Sequence, residues 1–409
     1  MARITAQPNP QDLARVKTIG EKVRLLHDEL NDIFPEREAL MEMIVYALLT
    51  REHVMIFGPK GTGKSDLFST LMDSIEGAVT FRIALSKYST ETAIFGIPNP
   101  KKMKDEGIVQ YDPNHNILSA DYAELDEFLD ANEFLLRTLL GILNERSWKR
   151  GHEVYPAKLM TAVATTNCVP EEEVRQNPRL EAVLDRFLFQ TAVKYLAKEE
   201  SRRRMYHRYL TGKTPTAKVS LEDITFISNI VVSANQITDP YFIEVYDRVV
   251  QAYRQTLENK EEVSDRRACK LLQLVEASAL LYGRFEVHPS DIYAIKHGLC
   301  YGKQDKVDNF MSVATPIIEE AKEKMKQSID DAQTRLLSEL EAQIPISLPA
   351  GTDGNMLVAR KRELITLRKK VDDVKPELAS TNDRRRGIMR KIDGLIYEVG
   401  KQIDEPQQP

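Results

Sequence analysis

The run Gly58-Pro59-Lys60-Gly61-Thr62-Gly63-Lys64-Ser65 spaces its glycines, lysine and hydroxyl as a phosphate cradle requires, in the pattern G-x-x-x-x-G-K-[ST]. Glycines let backbone amides turn inward around phosphate oxygens. A helix beginning at the end of the run adds the positive end of its dipole, Lys64 can reach the β- and γ-phosphates, and Ser65 offers a hydroxyl to a magnesium ion. The surroundings suit this chemistry: the apolar run His53 to Phe57 precedes the loop, and helical periodicity resumes at Leu67, Leu71 and Met72, so the order is strand, loop, helix. The alternative, a chance glycine-rich turn, would not need that context. ATP and Mg2+ are the expected ligands.

Hydrolysis also needs an acid to hold magnesium and a group that orients or deprotonates the attacking water. Asp121 follows the run Ile117 to Ala120, whereas Asp126-Glu127 supplies both groups together after Leu125. The alternative for the pair is a solvated acidic face, since Asp130 and Glu133 are close by. Ala123 and Glu124 are less apolar than a central parallel strand should be, which leaves the strand boundary open. Asn167 ends the apolar run Leu159 to Thr166, where ligands of open α/β sheets gather; it could position water or simply form a turn. Arg186, in Leu184-Asp185-Arg186-Phe187, could be a charge for a neighbouring phosphate or a partner for Asp185. In Val263-Ser264-Asp265-Arg266-Arg267, Ser264 is a candidate N-cap, and two arginines in a first helical turn are electrostatically unfavourable unless they serve another purpose.

In their order and spacing these segments resemble the MoxR family of AAA+ proteins, most closely its RavA-like branch. The resemblance rests on Leu125-Asp126-Glu127 followed by Leu139-Leu140, on Asn144-Glu145-Arg146, and on Val169-Pro170 after Asn167. It implies that Asp126 holds magnesium with Ser65, that Glu127 is the catalytic base, and that Asn167 is sensor 1. Arg186 would be an arginine finger aimed at the neighbouring subunit, and Arg266 sensor 2, with Arg267 as its rival. Phe95 to Tyr111, containing Asp105-Glu106-Gly107, resembles the family's helix-2 insert, and Arg146 to Pro156, with its Arg150-Gly151 turn, the hairpin before sensor 1. Their plain alternative is two surface loops.

Positioning such residues calls for strands alternating with helices. Beyond the strand before the P-loop, β-rich runs lie at Val79 to Leu85, Ile117 to Leu125, Leu159 to Thr166 and Phe187 to Val193, which implies a mostly parallel sheet covered on both faces. Two helices precede the P-loop. One carries Leu13, Val16, Ile19, Val23, Leu26 and Leu30; the other has Pro35 in its first turn and Met41, Ile44, Val45, Leu48 and Leu49 on its apolar face. Past Tyr195, helical patterns at Leu221 to Ala234, Tyr241 to Leu257, Arg266 to Leu281 and Ser290 to Tyr301 suggest a lid. From Lys303 the chain becomes strongly charged. One stripe is Met325, Ile329, Ala332, Leu336 and Leu340; a second is Leu364, Leu367, Val371, Val374 and Leu378; a third is Ile388, Ile392, Leu395 and Val399, with breaker-rich Pro345 to Gly354 between the first two. The expected fold is therefore α/β, an AAA+ αβα P-loop domain over 1–194, an all-helical lid over 195–302 and a C-terminal helical extension over 303–409.

Among the 409 residues 42% are hydrophobic and 29% charged, the mixture of a globular chain rather than a disordered one. No run approaches the length of a membrane span, and Met1 to Pro10 lacks a secretory h-region, so a cytoplasmic protein is expected. Cys168, Cys269 and Cys300 have no metal-ligand or disulfide spacing and are expected as buried small hydrophobes. The net charge of -5 gives no global pull toward DNA. A nucleic-acid motor is the rival function, kept open by Lys101, Lys102 and Lys104 in the first insert, and a slowly turning nucleotide-gated scaffold is another. The resemblance implies a chaperone-like remodeller of protein clients, a homo-oligomeric ring, expected as a hexamer, and a partner with a von Willebrand factor A domain. The stretch Pro345 to Gly354 is too short to hold the β-rich insertion of RavA-like relatives.

Overall fold

The computed structural model describes residues 9–106, 109–112, 114–150, 153–167, 183–233, 239–258, 263–344, 354–376 and 378–404. Cys168, Val169-Pro170, Gly107, Gly151 and 345–353 lie outside the described residues. The chain forms two compact units, Met1–Ile318 and Glu319–Pro409.

The first unit is built on five parallel strands in the order β3-β4-β7-β1-β8. These are β1 (Val54–Phe57), β3 (Thr80–Ala84), β4 (Tyr122–Asp126), β7 (Thr161–Thr166) and β8 (Phe189–Ala192). Every residue of β1 and β7 is buried, as a central parallel strand requires. The strand expected from Ile117 to Leu125 starts later, at Tyr122, because Asn116 folds Leu118 and Ser119 back on itself through its side chain and carbonyl. Two short strands, β2 (Ile75–Glu76) and β9 (Val219–Ser220), pair in parallel. β9 has no local signal, since only its distant partner makes it a strand. β5 (Ser147–Arg150) and β6 (Glu153–Pro156) form an antiparallel hairpin.

Helix α1 (Pro10–Ile33) is capped by Asn9, and α2 (Glu38–Thr50) follows; Pro35 precedes the second helix instead of lying in its first turn. Val16, Ile19, Val23, Leu26 and Leu30 are buried as their spacing predicts, while Leu13, near the free end, is exposed. Then come α3 (Lys64–Met72), α4 (Glu91–Phe95), α5 (Pro100–Asp105) and α6 (Glu133–Glu145). α7 (Glu199–Thr211) was not marked by an apolar stripe: Ser201 is its one fully buried residue, and the long-range contact of Arg208 with Asp66 helps hold it. α8 (Leu221–Ser233), α9 (Pro240–Thr256), α10 (Asp265–Leu281) and α11 (Lys296–Leu299) complete the helical part, with a 3-10 segment at Pro289–Ile295 before α11. α8 and α10 pack on α1 and α2. Gly20 of α1 permits this approach, since a Cβ there would stand 2.4 Å from the Leu281 carbonyl oxygen.

Helix α12 (Gln304–Ala342) runs through Pro316, whose missing N–H leaves one ladder bond unmade, and the two units divide after Ile318. Phe310, Ala314 and Ile318 are fully buried, and Phe310 meets Tyr253 edge-on at 5.5 Å. The first part of α12 thus belongs with the helices before it, although the charged character of the sequence changes at Lys303.

In the second unit α12 packs with α13 (Gly354–Asp373) and α14 (Ala379–Asp404). Leu364, Leu367, Val371 and Val374 are buried, as are Ile388, Ile392 and Val399. The α12 stripe is different from the expected one. Leu337 and Leu340 are buried, with Asp330 held by the Thr381 hydroxyl at 2.8 Å, whereas Ile329, Ala332 and Leu336 are exposed. Both faces of the helix carry apolar residues, and the partner helices decide which is covered. Cys300 is buried as expected, but Cys269 is exposed on α10, because its helix turns that face outward. No helix among the described residues is long and apolar enough to cross a membrane.

Candidate active site

The P-loop leaves β1 at the C-terminal edge of the sheet. Gly58, at φ 154°, donates its N–H to the Thr166 carbonyl at 3.1 Å. A Cβ on Gly58 would lie 2.4 Å from the Val193 carbonyl oxygen, so the loop passes β8 at a distance only glycine allows. Gly61 and Gly63 have φ near +78° and +79°, and Gly63 caps α3. The Lys64 ammonium is gathered in by the loop it belongs to, donating to the carbonyls of Gly58 at 2.7 Å and Pro59 at 3.1 Å and to Asn167 Oδ1 at 3.3 Å. Burial lowers its proton affinity, against the pull of Asp126 and Glu127.

β4 and β7 bring the remaining groups to the same edge. Their register sets Leu125 beside Ala164, so Asp126 stands next to Thr165, whose hydroxyl donates to Asp126 Oδ1; the Glu127 N–H donates to the same oxygen at 3.1 Å. Glu127 sits in the left-handed region at φ 53°, uncommon for a side-chain-bearing residue. Its Oε1 accepts from Asn167 Nδ2, and Lys60 Nζ stands 3.6 Å from it. Lys64, Asp126, Glu127 and Asn167 are therefore one cluster. Asp121 is at the other end of β4, where its carboxylate accepts from the Val79 N–H at 2.9 Å and helps close the N-terminal edge.

The donors near the P-loop fit a magnesium ion. They are hard oxygens, namely the Ser65 hydroxyl and the Asp126 carboxylate, and one further carboxylate oxygen, Glu124 Oε1, is buried without a hydrogen-bond partner. No group of three or more His, Cys, Asp or Glu suited to a metal occurs among the described residues. Magnesium at a phosphate site is held chiefly by phosphates and one or two protein ligands.

Arg186 and Arg266 are not brought to this cluster. Arg186 precedes β8 at the opposite edge of the sheet, paired with Asp185 at 3.0 Å and with its Nε buried and unpartnered. Ser264 caps α10 as its position suggests, accepting from the Arg267 N–H. However, this end of α10 docks at the same distant edge: Arg267 donates to the Leu188 and Gly298 carbonyls at 2.6 and 2.7 Å, and Lys270 pairs with Glu52 at 2.7 Å. Arg266 reaches toward Asn144 Oδ1 at 3.5 Å. About 13 Å of strand separates the two edges, so a sensor 2 contact from Arg266 to the P-loop of its own chain is not made. Arg267 is a buried structural residue here.

Several contributors carried no sequence signal. Arg37 donates to the Lys194 carbonyl at 2.7 Å and to Thr62 of the P-loop at 3.4 Å; Tyr195 donates to the Lys60 carbonyl at 3.0 Å. Both act across long sequence separations, which no local pattern shows. The two inserts meet in an aromatic cluster. Phe95 stacks on Trp148 at 3.9 Å, Tyr111 meets Trp148 edge-on at 4.7 Å, and Arg150 pairs with Glu91 at 2.9 Å. Lys101, Lys102 and Lys104 lie on α5. A cavity of about 730 Å³ lies elsewhere, between α1, α2 and the helical part, and its Arg284 and Asp291 satisfy each other.

Comparison with known proteins identifies the family. The family model described as the MoxR domain of MoxR-vWA-beta-propeller ternary systems matches residues 21–228, just over half of the chain, and an AAA lid domain matches 244–309. An uncharacterised protein of Methanocaldococcus jannaschii is 26% identical over 315 residues, 77% of this chain and 78% of that protein. Chaperone MoxR1 of Mycobacterium tuberculosis is 26% identical over 277 residues, 65% of this chain and 71% of that protein. A crystal structure of a candidate ATPase from Cytophaga hutchinsonii shares the fold, with a TM-score of 0.57 and 18% identity over 76% of this chain and 97% of that one. The P-loop, the acidic pair beside it and the helical part that follows thus have the parts and order of one family, and the chain belongs to the MoxR family of AAA+ ATPases.

Proposed function

We propose that the chain hydrolyses ATP with magnesium at sites shared between copies of itself, and that it uses the cycle to remodel a protein client. The observation that carries this is the division of the catalytic groups between two edges of one sheet. Lys64, Asp126, Glu127 and Asn167 gather at the P-loop edge, whereas Arg186 stands at the far edge and cannot serve its own P-loop. A second copy whose far edge meets this P-loop would supply the missing positive charge.

In this scheme Lys64 binds the terminal phosphates, Ser65 and Asp126 hold magnesium, and Glu127 takes the proton of the attacking water, oriented by Asn167. Magnesium, when bound, neutralises charge on the phosphates. Arg186 adds a fixed guanidinium from the neighbour, and Arg266, at the same edge, would reach the neighbour's site too. A closed ring, six copies in the proposed form, lets every site be completed in this way. The RavA-like motifs, the ternary-system description of the matching family and the chaperone MoxR1 relative support a protein client and a von Willebrand factor A domain partner. A location in the cytoplasm belongs to the same proposal.

The test is phosphate release and light-scattering mass in the presence of Mg-ATP, followed by capture of bound proteins on the Glu127→Gln variant. Turnover that depends on protein concentration, with a multimer holding a client, supports the proposal. Full turnover by a monomer overturns it.

A further inference from the structure

Helix α7 turns almost nothing apolar toward the body of the protein. Ser201 is its one fully buried residue, and polar bonds hold it in place. Arg208 donates to both oxygens of Asp66, at 2.6 and 3.1 Å, in the first turn of α3; just before the helix, the Ala197 and Lys198 N–H groups bind Glu36. These contacts set α7 beside the P-loop. The rest of its surface carries Met205, Tyr206, Tyr209 and Leu210, whose spacings of three and four residues make one continuous strip. All four are exposed, Tyr209 and Leu210 to 89% and 82%. Large apolar side chains gathered in water mark a surface that another molecule covers. From Lys194 to Lys213, moreover, seven lysines and arginines stand against two acids in a chain of net charge -5, so the surface suits an acidic partner. Arg203 and Arg204 reach into solvent, paired only with Glu199 and Glu200 of their own helix.

An acidic face with an apolar residue in it lies elsewhere on the same chain. Ile243, Glu244 and Asp247 are exposed on one side of α9, and from Asp239 to Asp247 there are three acids and no lysine or arginine. Neither Glu244 nor Asp247 forms an ion pair among the described residues. The Tyr246 hydroxyl donates to the Ala268 carbonyl at 2.6 Å, which seats this part of α9 on the first turn of α10, beside Arg266 at the far edge of the sheet. We propose that α7 is the docking surface for a second copy of this chain, whose acidic α9 face covers the apolar strip and its basic flank. The inference rests on the reading that a neighbour's far edge completes the P-loop site: that edge carries Arg186, Arg266 and the α9 face together, and α7 flanks the P-loop they would reach. Tyrosine and leucine supply the buried area, and the arginines against Glu244 and Asp247 fix the register.

The experiment follows assembly of the full chain by sedimentation over a range of protein concentrations, with Mg2+ and a non-hydrolysable ATP analogue. The variants are Tyr209→Ser with Leu210→Ser, Arg203→Glu with Arg204→Glu, Glu244→Lys with Asp247→Lys, and the two charge reversals combined in one chain. Each of the first three should raise the concentration for half-assembly about tenfold or more, the scale of losing an interface anchor. Their substituted side chains lie in solvent, so helix content and binding of a fluorescent ATP analogue should match the parent. The combined reversal should restore assembly toward the parent, because opposite charges face each other again. Parent-like assembly in the α7 variants, while Arg186→Ala mixed with Lys64→Ala still recovers turnover, overturns the docking surface and leaves the shared site standing. A parent that stays monomeric overturns both. Reversals that weaken assembly singly without rescue in combination overturn the α9 face as occupant. A labelled single-stranded oligonucleotide bound by the parent and lost in the Tyr209 and Leu210 variant, with assembly unchanged, would assign the strip to nucleic acid and overturn the proposal.

Discussion

Asn167 bridges Glu127 and Lys64: its Nδ2 donates to Glu127 Oε1 while its Oδ1 accepts from Lys64 Nζ at 3.3 Å. An amide with one donor and one acceptor in use is set by both partners at once. The Glu127 carboxylate is thereby directed toward Lys60 and Lys64 of the P-loop.

Glu127→Gln should therefore keep nucleotide binding within a few-fold of the parent and lower phosphate release by about 10²–10⁴, the range for loss of a positioned acid or base. Asp121→Asn is the control, because Asp121 bonds the Val79 N–H at the other end of β4. Equilibrium binding and steady-state turnover would separate them. Parent-like turnover in Glu127→Gln, with activity lost in Asp121→Asn, would sink the assignment.

The placement of Arg186 makes a prediction in trans. Arg186→Ala should bind ATP and lose roughly 10³–10⁵ in turnover, and Lys64→Ala should lose turnover through weakened binding. Mixed together, the two should recover part of the activity, since some interfaces join an intact P-loop to an intact arginine. Mixed assemblies that form without recovery would disprove the shared site.

Glu36 gives a pH signature. Its carboxylate accepts from the N–H groups of Ala197 and Lys198, each at 2.9 Å, and these bonds bring its pKa from 4.5 down to about 2. Protons then bind the unfolded chain more tightly, so the contribution is complete above 4.5 and is lost as pH falls toward 2. Glu36→Gln should melt below the parent at neutral pH, with the gap closing in acid. A constant gap in thermal melts from pH 7 to 3 would contradict this.

Truncation can locate the end of the nucleotide-binding unit. A chain ending at Lys303 removes Phe310, Ala314 and Ile318, all fully buried, and the Phe and Ile burials are each worth about 1.5–3 kcal/mol. A chain ending at Ile318 retains them. The longer form should fold and bind ATP, and the shorter should be markedly less stable by denaturant titration. Equal stability would show that these side chains pack without consequence.

Local chemistry was legible from the residues alone. The P-loop is contiguous, its glycine conformations are intrinsic to glycine, and Ser264 caps a helix through a bond three residues away; none of these needs distant partners. Leu125-Asp126-Glu127 was recognisable as a motif, yet only the alignment of β4 with β7 showed that Asp126 meets Thr165 and that Asp121 faces the wrong edge.

What the tertiary structure decided depends on contacts far apart in sequence. Glu124 weakened the case for a central strand until Arg82, on the neighbouring β3, was found 3.8 Å from it. Periodicity marked apolar residues along α12, but its partners chose Leu337 over Leu336. In the same way, the cap at Ser264 fixed where α10 begins, whereas the bonds of Arg267 and Lys270 fixed which edge of the sheet it meets. A residue's type and spacing limit the chemistry open to it; the packing of elements joined by long stretches of chain determines which neighbour it serves.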